Sequence, residues 1–126
     1  MPGLDILVVD DDADIRETLG LALELEGYAV RLARDGGEAW ALLDDGARPA
    51  LVLLDLAMPV LDGAALLARI RADVRLRDLC VVLVTAFSSP ADLTRTQADG
   101  VLYKPVSLSD VLAIATTRCG PLSEGP

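Results

Sequence analysis

Residues 6–12 read ILVVDDD and residues 51–55 read LVLLD, two unbroken apolar runs that each end in aspartate. Neither run alternates apolar with polar side chains, which is the pattern of strands buried on both faces of a parallel sheet. Three further short apolar runs lie at 29–32, 81–84 and 101–103, and their length and β-branched content suit strands as well. Between them the apolar spacing turns helical: Ile15, Leu19, Ala22 and Leu23 before Gly27, then Ala39, Leu42 and Leu43, then Leu66, Leu67 and Ile70. A short, weakly amphipathic helix is expected from Pro90 to about Ala98, and a last one over about 109–118, stopped by Gly120-Pro121. Strict alternation of strand and helix predicts an α/β fold, a doubly wound parallel sheet covered on both faces.

Length and composition set the bounds. At 126 residues and 52% hydrophobic, the chain has material for one domain with a sizeable single core. Twenty acidic against eleven basic side chains leave a net charge of −9, and only Tyr28, Trp40, Phe87 and Tyr103 are aromatic. Such a surface repels polyanions and offers few stacking rings, so nucleic acid is not expected as a direct partner. The absence of histidine excludes histidine-based nucleophilic catalysis and histidine-ligated metals, leaving carboxylates, hydroxyls, Arg and Lys to build a site. Cys80 and Cys119 sit at no metal or redox spacing, Cys80 reads as a small buried hydrophobe, and a reduced, cytoplasmic setting is expected. The apolar runs are too short to span a membrane, and the first residues lack the basic, then hydrophobic, opening of a secretory signal.

In an open parallel sheet ligands bind beyond the carboxyl ends of the strands. The residues at those ends are Asp10-Asp11-Asp12, then Asp55, then Thr85-Ala86, then Lys104-Pro105. Taken singly each has an ordinary reading: Asp12 or Asp14 caps a helix, Asp55 turns the chain, Thr85 ends a strand, Lys104 is a surface amine. Taken together they do not, because two like charges about 4 Å apart repel by roughly 4 kcal/mol at an effective dielectric of 20. A divalent cation and the Lys104 amine are the available counter-charges, and Mg²⁺ suits an all-oxygen site that also holds a phosphoryl oxygen. Lys104 is the single lysine of the chain, the other ten basic residues being arginine.

With these pieces in order, 6–12 (ILVVDDD), 51–63 (LVLLDLAMPVLDG), 81–86 (VVLVTA) and 102–105 (LYKP), the chain resembles the receiver domain of bacterial two-component response regulators. The resemblance runs from about Asp5 to Arg118. It implies a flavodoxin-like, five-stranded sheet of order 2-1-3-4-5, with residues 1–120 as the receiver and 121–126 as a flexible tail. Asp55 is then the phosphoacceptor, Asp10, Asp11, Asp55 and the backbone carbonyl of Ala57 hold Mg²⁺ (or Mn²⁺), and Thr85, the Ala86 N–H and Lys104 receive phosphoryl oxygens. The Lys104-Pro105 bond is expected to be cis. Expected partners are a sensor histidine kinase or phosphotransfer protein and a downstream protein target, with the chain a monomer or a weak phosphorylation-dependent dimer.

Two departures from the family pattern bear on output. The usual switch aromatic lies three residues before the lysine, where this chain has Val101, while Tyr103 directly precedes Lys104; both are candidates for the output face. The interval from Thr85 to Lys104 is also about three residues short, close to one helical turn. Ala57 and Phe87 flank the path of attacking water in the family; Ala57 cannot orient water and Phe87 can shield the phosphate, so slow self-dephosphorylation, over minutes or longer, is expected. The domain is expected to act as a single-domain regulator with only self-phosphorylation and self-dephosphorylation activity, the alternative being a receiver piece of a larger regulator or hybrid kinase. A haloacid-dehalogenase-type phosphatase also uses aspartates after its first strand, but this chain lacks a late acidic pair and room for a cap. A receiver that binds proteins without being phosphorylated is the third reading, kept open by the short interval and opposed by the complete acidic site.

Overall fold

The computed structural model describes residues 4–55, 63–86 and 97–119. Five strands, β1 (Ile6–Val9), β2 (Val30–Ala33), β3 (Leu51–Asp55), β4 (Val81–Thr85) and β5 (Gly100–Tyr103), form one sheet of order β2-β1-β3-β4-β5 in which every pairing is parallel. Helices α1 (Ala13–Leu25), α2 (Gly36–Asp44), α3 (Gly63–Ala72) and α4 (Leu108–Cys119) fill the connections and the carboxyl end among the described residues.

Successive side chains of a strand point to opposite faces, and the core divides accordingly. Leu7, Val9, Val52, Leu54, Val81 and Leu83 face α2 and α3, meeting Ala39, Leu43, Leu66, Leu67 and Ile70. Ile6, Val8, Leu51, Leu53, Val82 and Val84 face α1 and α4, meeting Leu19, Leu23, Val111 and Ala115. β1, β3 and β4 are buried along their whole length, as their unalternating sequences predict, whereas the edge strands β2 and β5 are partly exposed. The strands that deliver the aspartates and Thr85 to the sheet edge are therefore its most deeply buried.

Helix ends obey local chemistry. Asp12 caps α1, its carboxylate accepting the Asp14 and Ile15 N–H groups at 2.9 and 3.2 Å, and Asp35 caps α2 through the Glu38 N–H at 2.8 Å. Gly27, at φ +101°, ends α1 in the left-handed conformation that glycine tolerates, which lets the Tyr28 N–H turn back to the Leu23 carbonyl at 3.2 Å.

Several readings differ from expectation beyond one-residue extensions of β3, β4, β5 and the last helix. β2 starts at Val30 rather than Ala29, whose carbonyl instead accepts the Asp5 and Ile6 N–H groups. Cys80 is half-buried rather than buried, because it lies one residue before β4 at the rim of the core. The helix expected over 90–98 falls mostly outside the described residues, and it does not reach Ala98, since Gln97 has φ +60°, outside the right-handed helical region. The expected tail 121–126 also lies outside them.

Candidate functional site

The carboxyl ends of β1, β3, β4 and β5 converge, and parallel pairing is what aligns them: Val9 is in register with Leu54, Asp55 with Val84, and Thr85 with Tyr103. The residues after β1 and β5 and the last residues of β3 and β4 thus reach a common edge. Asp10, Asp11 and Asp55 come together there, with one carboxylate oxygen from each lying within 4.8 Å of the others. Asp10 and Asp55 are only 2% and 5% exposed, Thr85 is 4% exposed, and Asp11 and Ala86 face solvent.

The Lys104 Nζ lies 3.1 Å from Asp10 Oδ2 and 3.4 Å from Asp55 Oδ2, bridging the two buried carboxylates. Its reach is set by the backbone: the Lys104 N–H donates to the Thr85 carbonyl at 2.7 Å, extending the β4–β5 ladder by one residue, and the next peptide bond, to Pro105, is cis. Burial of the Lys104 amine opposes its charge, but the hydrogen bond and field of Asp10, aided by Asp55, outweigh burial and hold it above the ordinary lysine range. The amine is a fixed cation at neutral pH.

Asp10 is held from every side. Its N–H donates to the Ala33 carbonyl at 3.1 Å, its Oδ1 accepts the Asp12 N–H at 2.9 Å, and its own carbonyl accepts from Arg16 Nη1 at 2.9 Å. Among the described residues, three clustered carboxylates against one ammonium leave a formal excess of two negative charges, and an all-carboxylate donor set of this kind matches a hard divalent cation such as Mg²⁺.

Of the residues singled out in the sequence, Asp10, Asp11, Asp55, Thr85, Ala86 and Lys104 share this edge. Val101 is half-buried and packs on the core beside α2 and α3, while Tyr103 is 55% exposed. Alternation puts both on the same face of β5. Ala57 and Phe87 lie outside the described residues. Arg16 has no mark in the sequence, where one arginine on a helix carries no signal; its contact depends on how the β1–α1 turn folds back.

A sequence model described as the response regulator receiver domain matches residues 6–116. Response regulator MprA of a Mycobacterium species (strain KMS) is 40% identical over 126 residues, covering 96% of this chain and 54% of that protein. The DNA-binding dual master transcriptional regulator RpaA of a Synechocystis species is 36% identical over 111 residues, covering 86% of this chain and 46% of that protein. The chain spans about half the length of these curated relatives. Among solved structures, chemotaxis protein CheY4 of Vibrio cholerae superposes with a TM-score of 0.84 at 28% identity, covering 92% of this chain and 98% of that one.

Proposed function

Because the chain belongs to the response regulator receiver domain family, a family of phosphoaccepting signalling domains, we propose that Asp55 is its phosphoacceptor. The observation that carries this reading is the buried Asp55 carboxylate, 3.4 Å from the Lys104 ammonium and grouped with Asp10 and Asp11. An Asp55 oxygen attacks the phosphorus of a phosphohistidine or a small acyl phosphate. The bond from phosphorus to the leaving group breaks, and its electron pair departs with the imidazole, which takes up a proton, or with the carboxylate of the small donor. The product is an aspartyl phosphate on Asp55.

Lys104 neutralises one phosphoryl oxygen, and the Thr85 hydroxyl and Ala86 N–H receive others. When bound, Mg²⁺ or Mn²⁺ supplies charge neutralisation at the phosphoryl group; Asp10, Asp11 and Asp55 would hold it, with the Ala57 carbonyl implied by the family. Phosphorylation then alters the face around β5, where Tyr103 stands exposed, and a downstream protein reads it. The donor is a sensor histidine kinase or phosphotransfer protein in the cytoplasm, since a chain without histidine cannot supply its own phosphohistidine.

The half-length coverage of MprA and RpaA supports a receiver within a longer regulator, with a free-standing regulator as the alternative. In either case the −9 charge favours protein rather than nucleic acid as the partner of this domain.

Incubation with acetyl phosphate and Mg²⁺, then intact-mass measurement and peptide mapping, tests the proposal. One phosphoryl group should appear on Asp55, depend on Mg²⁺, vanish in Asp55→Asn, and persist for minutes or longer. Labelling of Asp10 instead would support the phosphatase reading, and no labelling in any condition would refute both.

A further inference from the structure

We infer that Arg16 is a positioning residue for the cation site, acting on the backbone between Asp10 and Asp11 rather than through its charge. The inference rests on the reading of Asp10, Asp11 and Asp55 as a cation and phosphoryl site. Arg16 Nη1 donates to the Asp10 carbonyl at 2.9 Å from the first turn of α1. That carbonyl belongs to the planar peptide joining Asp10 to Asp11, so holding its oxygen fixes the plane, and with it the direction in which the Asp11 side chain leaves the backbone.

The other three contacts of Asp10 do not do this. The bond to Ala33 anchors the preceding peptide, and those to Asp12 and Lys104 hold the Asp10 carboxylate. Asp10 is therefore located without Arg16, whereas Asp11 is exposed and takes its direction from the backbone on either side. Of the three clustered carboxylates, Asp11 is the one whose approach to Asp55 depends on this peptide plane.

Charge and positioning predict opposite signs. A guanidinium beside a cation site repels the cation, so if its charge were what mattered, removing Arg16 would tighten Mg²⁺ binding. If it positions the peptide, removal weakens binding, because outer-shell partners of ligands typically contribute about ten-fold or more to metal affinity.

Arg16→Met, which keeps the packing of the stem, and Arg16→Ala are both to be titrated with Mg²⁺ by calorimetry at constant ionic strength, without phosphodonor. One folded variant, verified by a cooperative melt, suffices. The expected result is an affinity about ten-fold weaker than wild type, with Arg16→Lys, which retains a donor for the carbonyl, recovering part of the loss. Affinity unchanged within about two-fold, or tighter, overturns the inference. Wild type that binds no Mg²⁺ would defeat the underlying phosphoacceptor reading instead, so the two failures are distinguishable.

Discussion

At the scale of single residues, charge crowding at the strand ends decides what substitutions do. Asp55 stands near two carboxylates and one ammonium. At an effective dielectric of 20, Asp55→Asn removes two repulsions and one attraction of similar size, a net of roughly 4 kcal/mol that solvent screening at the exposed Asp11 reduces to about 1–2 kcal/mol. In metal-free buffer its melting temperature should exceed that of wild type by about 4–8 °C, and a lower value would contradict the crowding. Lys104 behaves oppositely. Its folded-state pKa is raised, so the folded protein favours the charged amine; the contribution is whole below the ordinary lysine value of 10.5 and lost as pH climbs through the higher folded value. The stability gap between wild type and Lys104→Met, measured by urea midpoints in chelator, should stay level from pH 7 to about pH 10 and close only above it. Asp10, Asp55, Thr85 and Lys104 are all legible in the sequence, because a polar residue just after an apolar run has one place to go in a parallel sheet. Arg16 is not, because its partner is a backbone carbonyl six residues away that no side-chain pattern marks.

At the scale of elements, the arginine that matters most is Arg71, at the opposite end of the sheet. From the last turn of α3 its guanidinium donates to the Arg77, Leu79 and Gln97 carbonyls at 2.9, 2.7 and 3.0 Å and to Asp99 Oδ2 at 2.8 Å. Asp99 Oδ2 in turn accepts the Val81 N–H at 2.8 Å. One side chain thereby ties α3 to the start of β4 and to the approach to β5. Arg71→Ala leaves several carbonyls without this donor, and urea denaturation should show a loss of about 2–3 kcal/mol. Hydrogen exchange should quicken at the Val81 amide while the Asp12-capped start of α1 is unchanged; equal quickening at both would mean global loosening instead. The five strands and the last helix are legible to within about a residue, since hydrophobic period and stop signals are local. The Arg71 knot is not, because its partners, three backbone carbonyls and the Asp99 carboxylate, are brought together only when β4 and β5 pair.

At the scale of the whole molecule, the net charge of −9 is no longer an undivided quantity. Three of its carboxylates gather at one edge, others cap helices, as Asp12 and Asp35 do, and others pair with arginine, as Asp99 does. A ligand that binds only the folded state stabilises it, by about 1.4 kcal/mol at ten times its dissociation constant. Mg²⁺ at that level should raise the melting temperature by about 4–6 °C over sodium chloride of equal ionic strength, whereas Asp11→Asn should respond less. An equal rise in wild type and variant would assign the effect to general screening of the acidic surface.

The α/β alternation, the burial of β1, β3 and β4, an aspartate cap for the first helix and the identity of the residues at the strand ends are all written in the order of amino acids. Each of these comes from short-range regularities: the period of hydrophobicity, the chemistry of a cap, the residue after an apolar run. Folding in three dimensions was needed to settle which carboxylates meet, that Lys104 bridges Asp10 and Asp55, that Arg16 closes on the Asp10 carbonyl and that Arg71 gathers four acceptors. Those distances depend on strand register and turn geometry, which are fixed when both faces of the sheet bury their side chains at once.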